Sequence, residues 1–511
     1  MSGITRNQFL LAMALLLVVL TCANLWFAAI QYELGLPYVS ILTGPGGPTD
    51  RFADLVKISF SYRTFTSGIE AKTIESWPDI FRSHYHSLVY GGKEALAAGR
   101  LAHFHIPPLM TVLFIAGASL TAYTKTVFLT FCLFYLLYFA SVEWAIRVGI
   151  PREQRAASVL LLTWFFALVS YPALLVFIKG NFHAGWTSML IMAFMLSLFV
   201  RKQVGFAALI SLAIAVNIRP NAVIFAVALP LVLGLKPSIK PILRFAALAV
   251  GILAVSLFTA NRLYPDYTLR AFMQGLDIYK RLYVIGSMGD AFNSSLWALI
   301  KNLNPMSADF NQIALCGALS VMMLLAVLWG VRQRANWIIV APFCLLALYA
   351  QFLICTHNSR YTFLVFSVFS VFLVGAVSWG LWRSPNRVII SPFILTALYC
   401  LLCPVFGDYH LLVFLTPILL VFCNYSEWTA NFRLMSVVSL ASILMLAPKN
   451  YIFEGTLSWQ TILNPLILCF ATLYLVREAI SKPKIEEGPI IRAYPPQFPT
   501  EVSSGQHARM K

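Results

Sequence analysis

Apolar runs broken by short polar stretches recur along the chain from near the N-terminus to residue 476. An α-helix needs about 20 apolar residues to cross a hydrocarbon core of about 30 Å, and fewer where it stops inside protein or at a cavity. On that measure, spans are expected near 8–30, 126–146, 156–178, 181–200, 204–218, 221–235, 245–261, 310–330, 336–355, 361–382, 388–405, 410–425, 433–447 and 459–476. The pattern predicts an all-α polytopic integral membrane protein of about 12–14 transmembrane helices. The first run has only Arg6 before it and is too long for a cleaved signal, so a retained anchor is expected.

Composition supports the membrane class. Of 511 residues, 59% are hydrophobic and only 11% charged, and the mean hydropathy is +0.78. Too few charges are present to cover a water-facing exterior. Phe, Tyr and Trp are plentiful, as expected where rings sit at a membrane interface. Soluble, coiled-coil and disordered classes are thereby excluded. The formal net charge of +17 does not indicate a nucleic-acid partner, because Lys and Arg fall singly or in pairs between apolar segments. The nine cysteines lie within or at the ends of apolar segments, without metal-ligand spacing or a disulfide framework, and read as small buried hydrophobes.

The basic residues orient the chain. Arg147/Arg152/Arg155, Arg201/Lys202, Lys236/Lys240/Arg244, Arg332/Arg334, Arg383/Arg387 and the tail from Arg477 all fall on one side, which the positive-inside rule makes cytoplasmic. Both termini are then expected in the cytoplasm of a multi-pass cell (inner) membrane protein. A full crossing at 107–123 would put Arg147–Arg155 on the wrong side. Residues 107–122 are therefore expected to form a re-entrant or half-depth element, with a true span and a parity change elsewhere as the alternative. The domain plan is a membrane domain over 1–476, with large extracytoplasmic loops at 31–106 and 262–309, and a polar cytoplasmic tail, 477–511, expected to be disordered. All eight aspartates, and seven of the eight histidines, fall on the outer face. Acid–base chemistry is expected there.

Six outer-face clusters carry candidate chemistry. In Gly46–Leu55, Asp54 and Asp50 are candidate general bases, since low dielectric at the interface raises carboxylate basicity; an N-cap role for Asp50 is the alternative. His105, in Ala102–Pro108, is a candidate substrate ligand, or part of a rigid hinge made by the paired prolines. In Lys179–His183, Asn181 would bond a sugar hydroxyl or cap the next helix. Arg219 lies in Val216–Asn221, between two short apolar stretches. An arginine near membrane depth costs about 2.5–3.5 kcal/mol to insert, so it either meets an anion or snorkels to the interface. A guanidinium suits a phosphate. Arg360 is a second phosphate candidate, and His357 and His410, in Thr356–Tyr361 and Gly407–His410, are candidate substrate ligands or interfacial anchors.

With these residues in view, the chain resembles the GT-C fold of multi-span glycosyltransferases that use lipid-phosphate sugars. More narrowly, it is similar to glycosyltransferase family 87, the polyprenyl-phosphate-mannose-dependent mannosyltransferases. Ala53-Asp54-Leu55 is similar to the family's acidic-Leu motif in the first outer loop, and His105-Ile106-Pro107-Pro108 to its aromatic-Pro-Pro motif. Gly180-Asn181 matches part of Gly-Gln-x-Asn, and Ile218-Arg219-Pro220 resembles Ile-Lys-Pro with Arg in place of Lys. The resemblance lies chiefly between residues 50 and 245.

What it implies is a GT-C-like bundle and inverting, metal-independent transfer of mannose or another hexose. The donor would be a polyprenyl-phosphate-linked sugar in membrane lipid, and the acceptor a lipid or glycan at the extracytoplasmic face. Asp54 would deprotonate the acceptor hydroxyl, and Arg219 and Arg360 would stabilise the departing phosphate. No cofactor is implied. Two other classes stay open: a lipid-linked sugar flippase or transporter, and a polysaccharide polymerase or ligase using a lipid-diphosphate donor.

Overall fold

The computed structural model describes residues 5–33, 107–119, 123–263, 267–279, 293–303, 374–375, 377–378, 381, 387–425, 428, 431–448 and 460–481. These residues form an all-α membrane protein. The α-helices are α1 (Arg6–Glu33), α2 (Pro108–Ser119), α3 (Tyr123–Gly149), α4 (Ala157–Val169), α5 (Tyr171–Lys179), α6 (Phe182–Phe199), α7 (Phe206–Ile218), α8 (Ala228–Leu233) and α9 (Leu235–Leu263). They continue as α10 (Leu269–Tyr279), α11 (Leu296–Leu303), α12 (Arg387–Leu402), α13 (Leu415–Cys423), α14 (Phe432–Leu446) and α15 (Gln460–Ser481). Tight 3-10 turns at Pro220–Val227 and Asp408–Phe414 lead into α8 and α13.

Among the described residues, four helices are long and apolar enough to cross a membrane: within α1, α3, α6 and α9. A fifth crossing results if α4 and α5, bent by 57° at their junction, count as one. The break has a local cause. Pro172 stands at the second position of α5, where a missing amide hydrogen costs nothing, and the preceding Ser170 is extended. The apolar stretches expected at 204–218, 221–235, 388–405, 410–425, 433–447 and 459–476 fold as shorter helices. The stretches 310–330 and 336–355, and nearly all of 361–382, lie outside the described residues. Two boundaries move: α9 starts at Leu235, and α15 continues to Ser481, past the expected start of the tail.

α6 forms the centre. It is apolar on every face, and 94% of its length is buried, as expected of a helix surrounded by other helices. Small residues let its neighbours approach closely. A Cβ on Gly185 would stand 2.7 Å from Cε2 of Tyr138 on α3. The same number of residues further along both helices, a Cβ on Gly149 of α3 would stand 2.4 Å from Cβ of Leu196 on α6. α3 and α6 therefore run parallel, with the bent α4–α5 pair as the return between them. At their C-terminal ends, Nη2 of Arg201 donates to the carbonyls of Arg147 (2.7 Å) and Ile150 (2.9 Å). Arg155 donates to the same two carbonyls, at 2.8 and 3.0 Å. These guanidiniums satisfy the open carbonyls of α3 where the helix dipole is negative. They also gather Arg147, Arg152, Arg155, Arg201 and Lys202 at one end of the bundle.

The Tyr138 hydroxyl donates to the Ala167 carbonyl at 2.7 Å, and its ring meets Phe177 edge-on at 5.2 Å, so the ring has no room to retreat. Gly185→Ala is expected to destabilise the protein by about 1–3 kcal/mol through overpacking. Gly251→Ala, whose Cβ meets nothing within 4 Å, is the matched control and is expected to be neutral or slightly stabilising. Thermal unfolding of the two variants in detergent reads the difference.

Candidate functional site

The end of α6 opposite the arginine cluster carries the candidate chemistry. With 18 residues, α6 separates the two by about 27 Å. Gly180 closes α5 in the left-handed conformation (φ 70°), and the amide of Asn181 donates back to the Val176 carbonyl at 3.0 Å. This turn sets Asn181 and His183 at the head of α6, against the 3-10 turn Asp408–Phe414. Asn181 occupies the N-cap position, but its side chain makes no capping hydrogen bond, contrary to the capping role expected of it. It is 3% exposed.

The segment Cys403–Asp408, between α12 and that 3-10 turn, is held by three consecutive polar residues. Asn293 bridges to Gly407 in antiparallel fashion. Its Nδ2 donates to the Pro404 carbonyl at 2.8 Å, and its Oδ1 accepts from the Phe406 amide at 2.9 Å. The Ser294 amide donates to the Phe406 carbonyl at 2.9 Å, and Ser295 Oγ to the Pro404 carbonyl at 3.2 Å. Asp408, almost wholly buried, accepts a hydrogen bond from Ser294 Oγ, which in turn accepts from Asn464 Nδ2 at 2.8 Å. This buried chain ties Asp408 to α15 through Ser294, and leaves Asn464 Oδ1 without a hydrogen bond among the described residues. A Cβ on Gly407 would stand 2.6 Å from the Tyr409 ring, so any larger residue there would have to displace that ring.

This fixed segment receives Arg219. The residue follows the last turn of α7 in an extended conformation (φ −142°, ψ 99°), and Pro220 then begins the 3-10 turn. Nη2 donates to the Val405 carbonyl at 2.5 Å and to Cys403 Sγ at 3.2 Å. The guanidinium carbon lies 5.4 Å from the centre of the Phe406 ring and 6.0 Å from that of Tyr399. Arg219 thus turns inward onto the α12 end, and the snorkelling alternative does not describe it. Nε and Nη1 bond to none of the described residues, and the side chain stays partly exposed. Three N–H donors remain open to an anion.

His410 shares the Phe406 ring with Arg219: its imidazole centre lies 5.5 Å from that ring, 4.7 Å from Tyr409 and 6.2 Å from His183. It is 2% exposed, and its Nδ1 makes no hydrogen bond to the described residues. Burial of Asn181 and His410 suits a role inside the wall of the site, while Arg219 is the member open to a ligand. Among the described residues, no three His, Cys, Asp or Glu side chains gather as metal ligands would.

Arg219, Asn181 and His410 are thus brought to one end of the bundle. Asp50, Asp54, His105, His357 and Arg360 lie outside the described residues. Sequence reasoning assigned no role to Asp408, Ser294, Asn293, Asn464 or Cys403. Cys403 and Cys400 are buried, as expected of the cysteines, whereas Cys22 is exposed; the Cys403 sulfur also accepts from Asn221 Nδ2 at 2.9 Å. The polar triplet Asn293-Ser294-Ser295 at the head of an apolar helix was the available signal for the pinning residues. No known family, no curated protein and no solved structure matches the chain. Its own residues therefore carry the functional reading.

Proposed function

We propose that the chain is a GT-C-type membrane glycosyltransferase, moving a sugar from a polyprenyl-phosphate donor to a lipid or glycan acceptor at the extracytoplasmic face. The observation that carries the reading is Arg219. It is a partly exposed guanidinium between two short apolar helices, fixed through one nitrogen, with the other two unbonded among the described residues. A fixed cation of this kind lowers the barrier to departure of a lipid phosphate, because it needs no reorganisation as charge develops. Its place at the end opposite the arginine cluster agrees with the outer-face orientation taken from the positive-inside rule.

In this scheme Asp54 takes the proton from the acceptor hydroxyl as that oxygen attacks the anomeric carbon. The bond to the phosphate oxygen breaks in the same displacement, inverting the centre, and the electron pair leaves with the phosphate beside Arg219. Arg360 adds a second positive charge, and His410, His183 and Asn181 shape the wall. Mannose or another hexose is the sugar implied.

One observation favours a second reading. The 3-10 turns Pro220–Val227 and Asp408–Phe414 both interrupt apolar stretches near Arg219, and broken helices of this kind line substrate sites in transporters. The site's position at one end of α6, away from its middle, favours interfacial chemistry.

The test uses membranes containing the full chain and a radiolabelled polyprenyl-phosphate mannose. Label is expected in a new lipid or glycan product, with none from a polyprenyl-diphosphate sugar. Label crossing the vesicle membrane without a new glycosidic bond would replace the enzyme with a transporter. Product from the diphosphate donor alone would make the chain a polymerase or ligase.

A further inference from the structure

On the outside of the bundle, α2, α7 and α9 enclose an open groove of about 700 Å³. Its walls are apolar: Leu109 and Val112 from α2, Leu209 from α7, and Leu248, Ile252 and Val255 from α9. Gly251 lies in its floor, and a Cβ there would meet nothing within 4 Å. The groove follows α9 from Arg244 to Thr259, which is about 22 Å of helix. Beside the groove α9 is also outward-facing, with Leu243, Val250 and Phe258 each more than 60% exposed.

One charged side chain lines this groove. Arg244 stands at the end nearest the start of α9, is exposed, and makes no hydrogen bond or ion pair with the described residues. Lys240 lies one helical turn before it and Lys236 one turn further, both exposed. α7 begins at the same end, where Phe206 meets the groove. Trp144 Nε1 on α3 donates to Ser211 Oγ on α7 at 2.8 Å, which ties that end to the arginine cluster of Arg147 and Arg201. The arrangement is an apolar channel along α9, with Arg244 in its lining and Lys240 and Lys236 beyond that end.

We propose that the groove is a binding site for an anionic glycerophospholipid from the leaflet on the basic side, with its phosphate on Arg244 and one acyl chain along α9. Charge complementarity selects this occupant. A neutral apolar helix would leave Arg244 without an anion, whereas a lipid phosphate pairs with it while the acyl chain covers the apolar wall of α9. The site is independent of the glycosyltransferase reading. A cation at the membrane surface is worth about 1 kcal/mol toward an anionic lipid, or about fivefold in affinity.

The test takes the full chain, purified in detergent and stripped of lipid, and titrates it with dioleoyl phosphatidylglycerol or dioleoyl phosphatidylcholine. Bound lipid is counted by native mass spectrometry. The native chain is expected to retain one phosphatidylglycerol with about fivefold preference over phosphatidylcholine. Arg244→Glu is expected to abolish the preference, and Gly251→Phe, which fills the floor and keeps the cation, to abolish retention of both lipids. Gly251→Phe adds its ring to open space and replaces a poor helix former, so the fold should tolerate it. Equal retention by all three proteins, equal affinity for the two lipids in the native chain, or no bound lipid at all would each overturn the proposal.

Discussion

Replacing Arg219 with alanine is expected to lower sugar transfer by about 10²–10³-fold, the usual cost of removing one fixed donor from developing negative charge. Two losses combine in that variant. The open Nε and Nη1 donors disappear, and so does the tether from Nη2 to the Val405 carbonyl and Cys403. Arg219→Lys separates them. An ammonium keeps the charge but not the planar fork, so it cannot hold Val405 and face a phosphate together. Transfer by the lysine variant should fall between that of the native and alanine proteins, and its Michaelis constant for the donor should rise. If alanine and native proteins transferred at equal rates while unfolding at the same temperature, Arg219 would not be the phosphate ligand.

Asp54→Asn carries the other large effect: a loss of about 10²–10⁴-fold in turnover, the range supplied by a positioned general base. Asparagine keeps the size and hydrogen-bonding reach of the side chain but accepts no proton. The Michaelis constants for donor and acceptor are therefore expected to stay near native values while kcat falls. Asp50→Asn is the comparison and should stay near native if Asp50 caps a helix. Turnover at saturating donor and acceptor, in membranes with matched protein levels, decides it. An active Asp54→Asn beside an inactive Asp50→Asn would move the base to Asp50.

The helical class was legible because apolar runs recur along the chain with few charges within them, and the buried centre was legible in the largely apolar sequence of α6. The bend between α4 and α5 left only Pro172 as its mark, and a proline near the start of a helix is as common as one at a break. Arg219 stood out because a lone cation between apolar stretches demands a partner. The partner did not stand out, since Cys403 and Val405 lie 184 and 186 residues away and offer a thiol and a backbone carbonyl. Ser294 and Asp408, 114 residues apart, meet for the same kind of reason. Local spacing carries the periodicity of a helix, but carries nothing about which loop folds back upon it.

The parallel register of α3 and α6 has a consequence for biosynthesis. Tyr138 and Gly149 are made before the helix that covers them, and the intervening α4–α5 pair must first turn the chain around. At ribosomal rates of about 5–20 residues per second, Tyr138 waits roughly 2–10 s for Gly185. During that interval the α3 surface that will receive Gly185 is open to lipid, to the insertion machinery and to a chaperone that shields single membrane helices. Completion of α6 ends that exposure, adding Gly185 to the contacts Tyr138 can make earlier with Ala167 and Phe177.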